Sequence, residues 1–270
     1  VNRRETIVTV PGYDDDLTLA TRLADAADAV TTARFRALDL TVSAKPDRTP
    51  VTDADTAVED AIRAVLATER PGDAVLGEER GGSADSRARA WVLDPIDGTK
   101  NFLRGVPVWA TLIALVEDGT PVVGVISAPL LGRRWWASRG AGAYLRDAAG
   151  ERKLSVSGVS TLSDAYLSTT DLNTWPEYHS RESYLALTEA CWETRAFGDF
   201  WHHCLVAEGA LDIAAECVVN PWDVAATQVI VTEAGGRFTD LSGAPTYQGG
   251  SALSTNGLLH DEALAVLRRQ

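Results

Sequence analysis

The sequence predicts a mixed α/β chain made of two subdomains, residues 14–150 and 151–270. Three observations carry that prediction. Two helical stretches come first, a series of short apolar strands follows from residue 91, and from about residue 164 strand and helix patterns alternate. The 270 residues suffice for a sizeable core, since a chain of this mass can bury roughly 73% of its unfolded surface. With 45% hydrophobic and 23% charged residues, the composition is that of a folded globular protein.

Taken in order, residues 1–13 read as a loose tail. Three acids, Asp14 to Asp16, precede an alanine-rich helix over 17–38, with Leu19, Leu23, Ala26, Ala27 and Val30 at helical spacing. Residues 41–53 read as a polar loop holding Pro46 and Pro50. Residues 52–70 form a second helix, its stripe being Ala54, Val58, Ala61, Ile62, Val65 and Leu66, and Pro71-Gly72 ends it. A short strand at 74–77 and a loop at 80–89 follow. The apolar run from Trp91 is a strand expected to stop at Pro95, which cannot donate to a ladder. Residues 109–116 and 122–127 read as strands around a turn at Asp118-Gly119, and 133–137 and 143–146 extend the meander. The second half reads as strand 164–169, helices 181–192 and 200–209, and strand 211–215. Helix 222–234 stops at Gly235-Gly236, and strands near 237–239 and 251–254 precede a helix at 259–269. There are no internal repeats.

Lys+Arg total 25 and Asp+Glu 38, a formal charge of −13. Such a chain lacks the basic face that nucleic-acid binding requires, so no nucleic acid is expected. Cys191, Cys204 and Cys217 form no CxxC pair, which suits a reducing compartment and offers no disulfide or zinc framework. No run of about 18 apolar residues occurs, and the opening residues lack a continuous apolar stretch. No membrane association and a cytoplasmic location are therefore expected.

Four acidic islands stand out: Asp53 with Asp55, Glu78 with Glu79, Asp94-Pro95-Ile96-Asp97-Gly98-Thr99, and Asp223. In the third, two carboxylates flank a tight turn and can converge on one point, while Gly98 and Thr99 offer backbone N–H groups and a hydroxyl for a phosphate oxygen. Asp and Gly also serve simply as turn formers. Glu78 follows a strand and suits a hard cation, or belongs to an exposed acidic loop. Asp55 lies three residues after Thr52 and can complete a capping box. Asp223 sits in a first helical turn, where an acid is electrostatically ordinary. The argument for chemistry rests on their conjunction.

That conjunction resembles the inositol monophosphatase-like superfamily of metal-dependent, lithium-sensitive phosphatases. The matching segments are 51–55 (Val-Thr-Asp-Ala-Asp), 77–79 (Gly-Glu-Glu), 91–102 (Trp-Val-Leu-Asp-Pro-Ile-Asp-Gly-Thr-Lys-Asn-Phe) and 222–226 (Trp-Asp-Val-Ala-Ala), with 233–236 (Glu-Ala-Gly-Gly) after them. A looser resemblance, to the histidinol-phosphatase branch found in actinobacteria, rests on Lys45-Pro46-Asp47, the stretch 97–109, Arg133 to Trp136, and Phe197 to Phe200 before 204–209.

The resemblance implies a layered αβαβα sandwich and two or three Mg2+ per subunit. Glu78, Asp94 and the Ile96 carbonyl would hold one ion, Asp94, Asp97 and Asp223 a second, and Glu78 a weaker third. Thr99, backed by Asp55, is similar to the pair that activates the attacking water, so Thr99, Asp55 and Glu78 are the implied catalytic set. Gly98 and Thr99 would hold the phosphate by their N–H groups, with direct attack on phosphorus. Lys45 has a family counterpart near the metals, although Pro46 departs from the inositol-phosphatase pattern. The implied partner is a small-molecule phosphate ester, L-histidinol phosphate first, with inositol 1-phosphate or other sugar phosphates as alternatives. The implied assembly is a homodimer. An acidic metal- or ligand-binding protein without turnover is the reading from another class, and the presence of Thr99 and Asp55 argues against it.

A substrate with a cationic tail calls for carboxylates opposite the metals. Asp199 and Glu216 are the candidates, against readings as a helix N-cap and a loop acid. His202 and His203, adjacent on a helix, are expected to point apart and to be packed or surface residues. Of Trp135 and Trp136, at least one should be core. Trp109 could line the pocket, and Lys100 and Arg104 could steer phosphate.

Overall fold

Acids open the first helix and an extended residue ends it. Asp14, Asp15 and Asp16 occupy the first turn of α1 (Asp14–Arg34), and Phe35 leaves the helical region. The helix thus spans 14–34 rather than 17–38. The structure is a computed structural model and describes residues 12–44, 49–84 and 89–269. Lys45 and the tail over 1–11 lie outside the described residues. The loop expected over 41–53 instead contains an antiparallel pair, β1 (Val42–Ala44) and β2 (Pro50–Thr52). All three β1 residues are exposed, so no buried alternation marks it in the sequence.

Thr52 caps α2 (Asp53–Glu69) with a complete capping box, in which Asp55 returns a carboxylate to the Thr52 N–H. Next come β3 (Ala74–Gly77), β4 (Gly81–Gly82) and β5 (Ala90–Asp97). Strand β5 does not stop at Pro95. Its register against the next strand slips between Asp94 and Asp97, so Pro95 sits in a bulge where no ladder N–H is needed, while its carbonyl accepts the Thr111 hydroxyl at 2.7 Å. The short α3 (Thr99–Arg104) follows. The meander then runs through β6 (Ala110–Glu117), β7 (Thr120–Ala128), β8 (Arg133–Ser138), β9 (Gly142–Asp147) and β10 (Gly150–Lys153).

The second half contains β11 (Tyr166–Ser168), α4 (Trp175–Tyr178), α5 (Arg181–Ala190), β12 (Glu193–Arg195) and α6 (Asp199–Ala207). It ends with β13 (Ile213–Glu216), α7 (Pro221–Glu233), β14 (Arg237–Thr239), β15 (Ala252–Thr255) and α8 (His260–Leu267). One sheet has the order β10-β9-β8-β7-β6-β5-β3-β4, and the other β12-β11-β13-β15-β14.

Strand alternation writes the layers. On β5, Trp91 and Leu93 face α1 and α2, whereas Val92 faces α6 and α7. On β6, Ile113 and Leu115 take the first face and Leu112, Ala114 and Val116 the second. On β13, Ala214 joins the core around α6 and α7, while Ile213 and Ala215 pack toward α5 and α8. The result is five layers: α1/α2, the larger sheet, α6/α7, the smaller sheet, and α5/α8. Helix α7 lies between two sheets, and every residue from Val224 to Val231 is buried, which is why it shows no clean apolar stripe. Trp135 is fully buried and Trp136 partly so. No described helix is long and apolar enough to cross a membrane.

Candidate active site

The chemistry-bearing residues gather where strands end and helices begin. Glu78 follows β3, Asp94 sits at the bulge of β5 and Asp97 closes that strand, and Glu216 closes β13. Asp55, Thr99, Asp199 and Asp223 lie in the first turns of α2, α3, α6 and α7. A cleft of about 460 Å³ is lined by Glu78, Asp94, Ile96, Asp97, Gly98, Thr99, Asp199 and Asp223, among others. An adjoining recess of about 200 Å³ shares Asp97, Lys100, Asp199 and Asp223 and adds Glu216. Lys100 is the one cationic residue among the described residues that line either space. Arg104 lines neither.

Three carboxylates, Asp94, Asp97 and Asp223, each place an oxygen within 4.8 Å of the others. Asp94 is 2% exposed, and its Oδ1 has no hydrogen-bond partner among the described residues. Burial, then the charges of Glu78, Asp97 and Asp223, push Asp94 well above the usual carboxylate range. Asp97 is raised by burial and by Asp199 and Asp223, even though one of its oxygens accepts the Phe200 N–H. Asp223 is pushed up to about 7, by burial first and then by Glu78, Glu216 and Asp199. One Asp223 oxygen accepts the Asn220 N–H at 2.7 Å, so the residue caps α7 and faces the cluster at once. Mutually repelling, all-oxygen donors with an orphaned buried oxygen fit hard divalent cations.

Glu78 is anchored by its backbone N–H, 3.2 Å from the Leu93 carbonyl. The corner beside it is held by Glu59, which is fully buried and did not stand out in the sequence. Its carboxylate accepts the N–H groups of Glu79 (2.8 Å) and Arg80 (3.2 Å) and pairs with Arg63 at 2.7 Å. Gly77 permits this approach, since a Cβ there would lie 2.1 Å from Glu59 Oε1.

Asp55 does two jobs with two oxygens. Oδ2 accepts from Thr52, completing the cap, and Oδ1 lies 3.3 Å from Thr99 Oγ1. Burial raises Asp55 despite those bonds. Thr99 Oγ1 also sits 2.9 Å from the Ile96 carbonyl, so its single proton has two acceptors. Engagement of the Ile96 carbonyl elsewhere would turn that proton to Asp55. Gly98 caps α3 at φ 85°, and a Cβ there would be 3.0 Å from the Val108 carbonyl. Only glycine takes that conformation without strain.

Asp199 is not the N-cap of α6, a position Gly198 holds. It is the first helical residue, at φ 49°, a strained conformation for a non-glycine residue. Its N–H donates to Thr170 Oγ1 at 2.9 Å, and its Oδ2 lies 3.4 Å from Asn101 Nδ2. Burial and the Glu216 charge push it up to about 6. Glu216 is buried strand, not loop, and accepts the Thr170 hydroxyl. Burial alone would raise it, but His202 and His203 outweigh burial and hold it well below the usual carboxylate range.

Two expectations need correction. His202 and His203 do not diverge. Their rings are 4.3 Å apart, with Nε2 atoms 3.6 and 3.4 Å from Glu216, because long side chains about 100° apart on α6 both reach the strand packed against it. Trp109 does not line the cleft. It is fully buried in an aromatic cluster with Phe35 and Phe102. Thr170, which ties Asp199 to Glu216, carried no signal in the sequence.

The model of the inositol monophosphatase family matches residues 13–270. A histidinol-phosphatase of Mycobacterium tuberculosis is 59% identical over 94% of this chain and 98% of its own length. One of Streptomyces coelicolor is 54% identical over 97% of this chain and 100% of its own. An inositol monophosphatase structure from Zymomonas mobilis superposes with a TM-score of 0.84 at 35% identity, covering 96% of this chain and 100% of that one. Clustered carboxylates, five layers and a match along nearly the whole sequence agree: the chain belongs to the inositol monophosphatase family.

Proposed function

We propose that the protein is a Mg2+-dependent phosphomonoesterase that hydrolyses L-histidinol phosphate to L-histidinol and phosphate. One observation carries the substrate choice: the cleft has a metal-type carboxylate cluster and, beside it, a second carboxylate pair, Asp199 and Glu216, joined through Thr170. A neutral polyol phosphate can use that second pair only through its hydroxyls and does not need both carboxylates, whereas an ammonium and an imidazole also pair with their charge. The names of the relatives at 59% and 54% identity support the same substrate.

Glu78, Asp94, the Ile96 carbonyl, Asp97 and Asp223 would hold two or three Mg2+. Bound there, the ions supply charge neutralisation on the phosphate oxygens and acidify water. The chain's own residues do the rest. Thr99 donates its proton to Asp55 and thereby presents a lone pair to a water proton, orienting that water toward phosphorus. The Gly98 and Thr99 N–H groups hold phosphate oxygens, and Lys100 adds positive charge at the mouth. Asp199 and Glu216 hold the cationic tail. Water oxygen bonds to phosphorus as the ester P–O bond breaks; one of the water's two protons ends on the leaving alcohol and the other stays with the phosphate, so the ester and water give the alcohol and hydrogen phosphate. Lys45 belongs to this reading only as a family counterpart. A homodimer in the cytoplasm completes it.

Phosphate release from L-histidinol phosphate, measured with Mg2+ and with EDTA, tests the activity. Release that needs Mg2+ supports it, and no Mg2+-dependent release from any phosphomonoester rejects it. Asp199→Asn should lower kcat/KM for L-histidinol phosphate more than for inositol 1-phosphate. Equal losses would remove Asp199 from the selectivity argument.

A further inference from the structure

We propose that His202 and His203 act as a paired clamp that positions Glu216 for the cationic tail of the substrate, and so set specificity without touching substrate themselves. The proposal rests on the reading of Glu216 given above and extends it to two residues behind the cleft.

Glu216 ends β13 at the recess, 9% exposed. Its Oε1 faces the Thr170 hydroxyl and lies 3.6 Å from His202 Nε2, and its Oε2 lies 3.4 Å from His203 Nε2. Both rings are 0–1% exposed and stand nearly perpendicular, at 78°. Each is fixed from behind by a serine of the smaller sheet. His203 Nδ1 is 2.8 Å from Ser254 Oγ, and His202 Nδ1 is 3.3 Å from Ser168 Oγ. Ser168 Oγ already accepts the Phe197 N–H at 3.1 Å, so its own proton is free for His202 Nδ1. In the tautomer where the Ser168 hydroxyl donates to Nδ1, the His202 ring proton lies on Nε2 and faces the carboxylate. With the Ser254 hydroxyl donating to His203 Nδ1, the His203 Nε2–H faces Oε2 at 3.4 Å. Burial keeps His203 neutral, pushed down to about 4.

The consequence is a carboxylate supplied with donors on its protein side. A buried carboxylate without them would take up a proton and lose its attraction for a cation. With Thr170 and His203 bonded behind it and His202 Nε2 in ion-pair range at 3.6 Å, Glu216 stays ionised and its direction is fixed, leaving its remaining lone pairs to the recess. Thr170 also holds the Asp199 backbone, so both specificity carboxylates share one support. His202 Nε2 has no hydrogen bond within normal geometry among the described residues. It stands ready to shorten its contact when Glu216 takes up a ligand.

The test is the ratio of kcat/KM for L-histidinol phosphate to that for inositol 1-phosphate, in Mg2+-loaded wild type, His203→Leu, His203→Gln, His203→Asn, His202→Gln and Glu216→Gln, with kcat and KM reported separately. His203→Leu should lower the ratio about tenfold, chiefly through KM for L-histidinol phosphate. His203→Gln, whose amide reaches the Nε2 position, should recover most of it, and His203→Asn should not, which preserves the test if the leucine variant fails to fold. In a Glu216→Gln background, His203→Leu should change the ratio no further. Equal losses for both substrates, glutamine no better than asparagine, or full additivity with Glu216→Gln would overturn the proposal. Stoichiometric zinc retained by wild type and lost in His202→Gln would also overturn it, by making the cluster a metal site. A wild-type ratio below about 10 would defeat the substrate reading itself. A high wild-type ratio unmoved by the histidine variants defeats the clamp alone.

Discussion

Asp94→Asn should make the metal-free protein more stable than wild type and should lose most of the stabilisation that Mg2+ gives wild type. Asp94, Asp97 and Asp223 bring oxygens within 4.8 Å of one another, with Glu78 also adding repulsion. At that spacing a pair of full charges repels by about 3 kcal/mol with an effective dielectric constant near 20. Proton uptake by the raised carboxyls relieves part of this, so the near-isosteric, neutral asparagine should recover about 1–3 kcal/mol. For a chain of this size that is a rise of several degrees in melting temperature in EDTA, at roughly 2–4 °C per kcal/mol. Mg2+ at about a hundred times its Kd adds about 2.7 kcal/mol to a protein that binds it, and the variant should gain little of that. The assay is thermal unfolding of both proteins at neutral pH, in EDTA and in excess Mg2+. An Asp94 that served packing alone would destabilise under both conditions. A variant less stable than wild type in EDTA, or one stabilised by Mg2+ as much as wild type, would refute the reasoning.

Further outcomes follow from the same geometry. Thr99→Val should lower kcat by about 10²–10³-fold while leaving the Mg2+-induced rise in melting temperature in place, and Thr99→Ser should recover much of the rate; steady-state kinetics beside melting curves decide it. Gly98→Ala should cost about 1–2 kcal/mol from the left-handed backbone alone, and more from the Val108 carbonyl 3.0 Å from the new Cβ, read as a lower urea midpoint. The carboxylate cluster's contribution to metal-free stability should fall as pH rises from about 4 to 7, outweighing the opposite contribution of His203 and His260, both pushed down to about 4. Asp223 has its folded pKa raised to about 7, above the ordinary value for an unfolded chain, so the folded state holds the extra proton across that window. Asp94 and Asp97 shift in the same direction. Urea midpoints at pH 5 and pH 8 in EDTA check the sign, and a higher midpoint at pH 8 would contradict it.

What the sequence disclosed depended on whether the physics was local. The Thr52–Asp55 box and the Asp118-Gly119 turn depend on neighbours a few residues apart, and both are present. Asp94 and Asp97 share one short motif, but Asp223 comes from a distant segment, and only the family resemblance joined it to them in the sequence. Local rules failed where a distant partner decided. Pro95 looked like a strand end, yet a bulge opposite β6 absorbs it. Adjacent histidines looked divergent until β13 supplied a carboxylate between them. Glu59 and Thr170 look like ordinary helix and loop residues in sequence. Their roles come from groups about 20 and 46 residues away. Trp109 sits beside the motif in sequence, but Phe35 and Phe102 draw it into the core.

The most direct measurement is the ratio of kcat/KM for L-histidinol phosphate to that for inositol 1-phosphate, taken with the purified protein at saturating Mg2+. A cleft with metal-type acids on one side and Asp199 with Glu216 on the other predicts a ratio well above about 10, since one such factor is only about 1.4 kcal/mol of transition-state binding. A ratio below about 10 would contradict the assignment of L-histidinol phosphate as substrate.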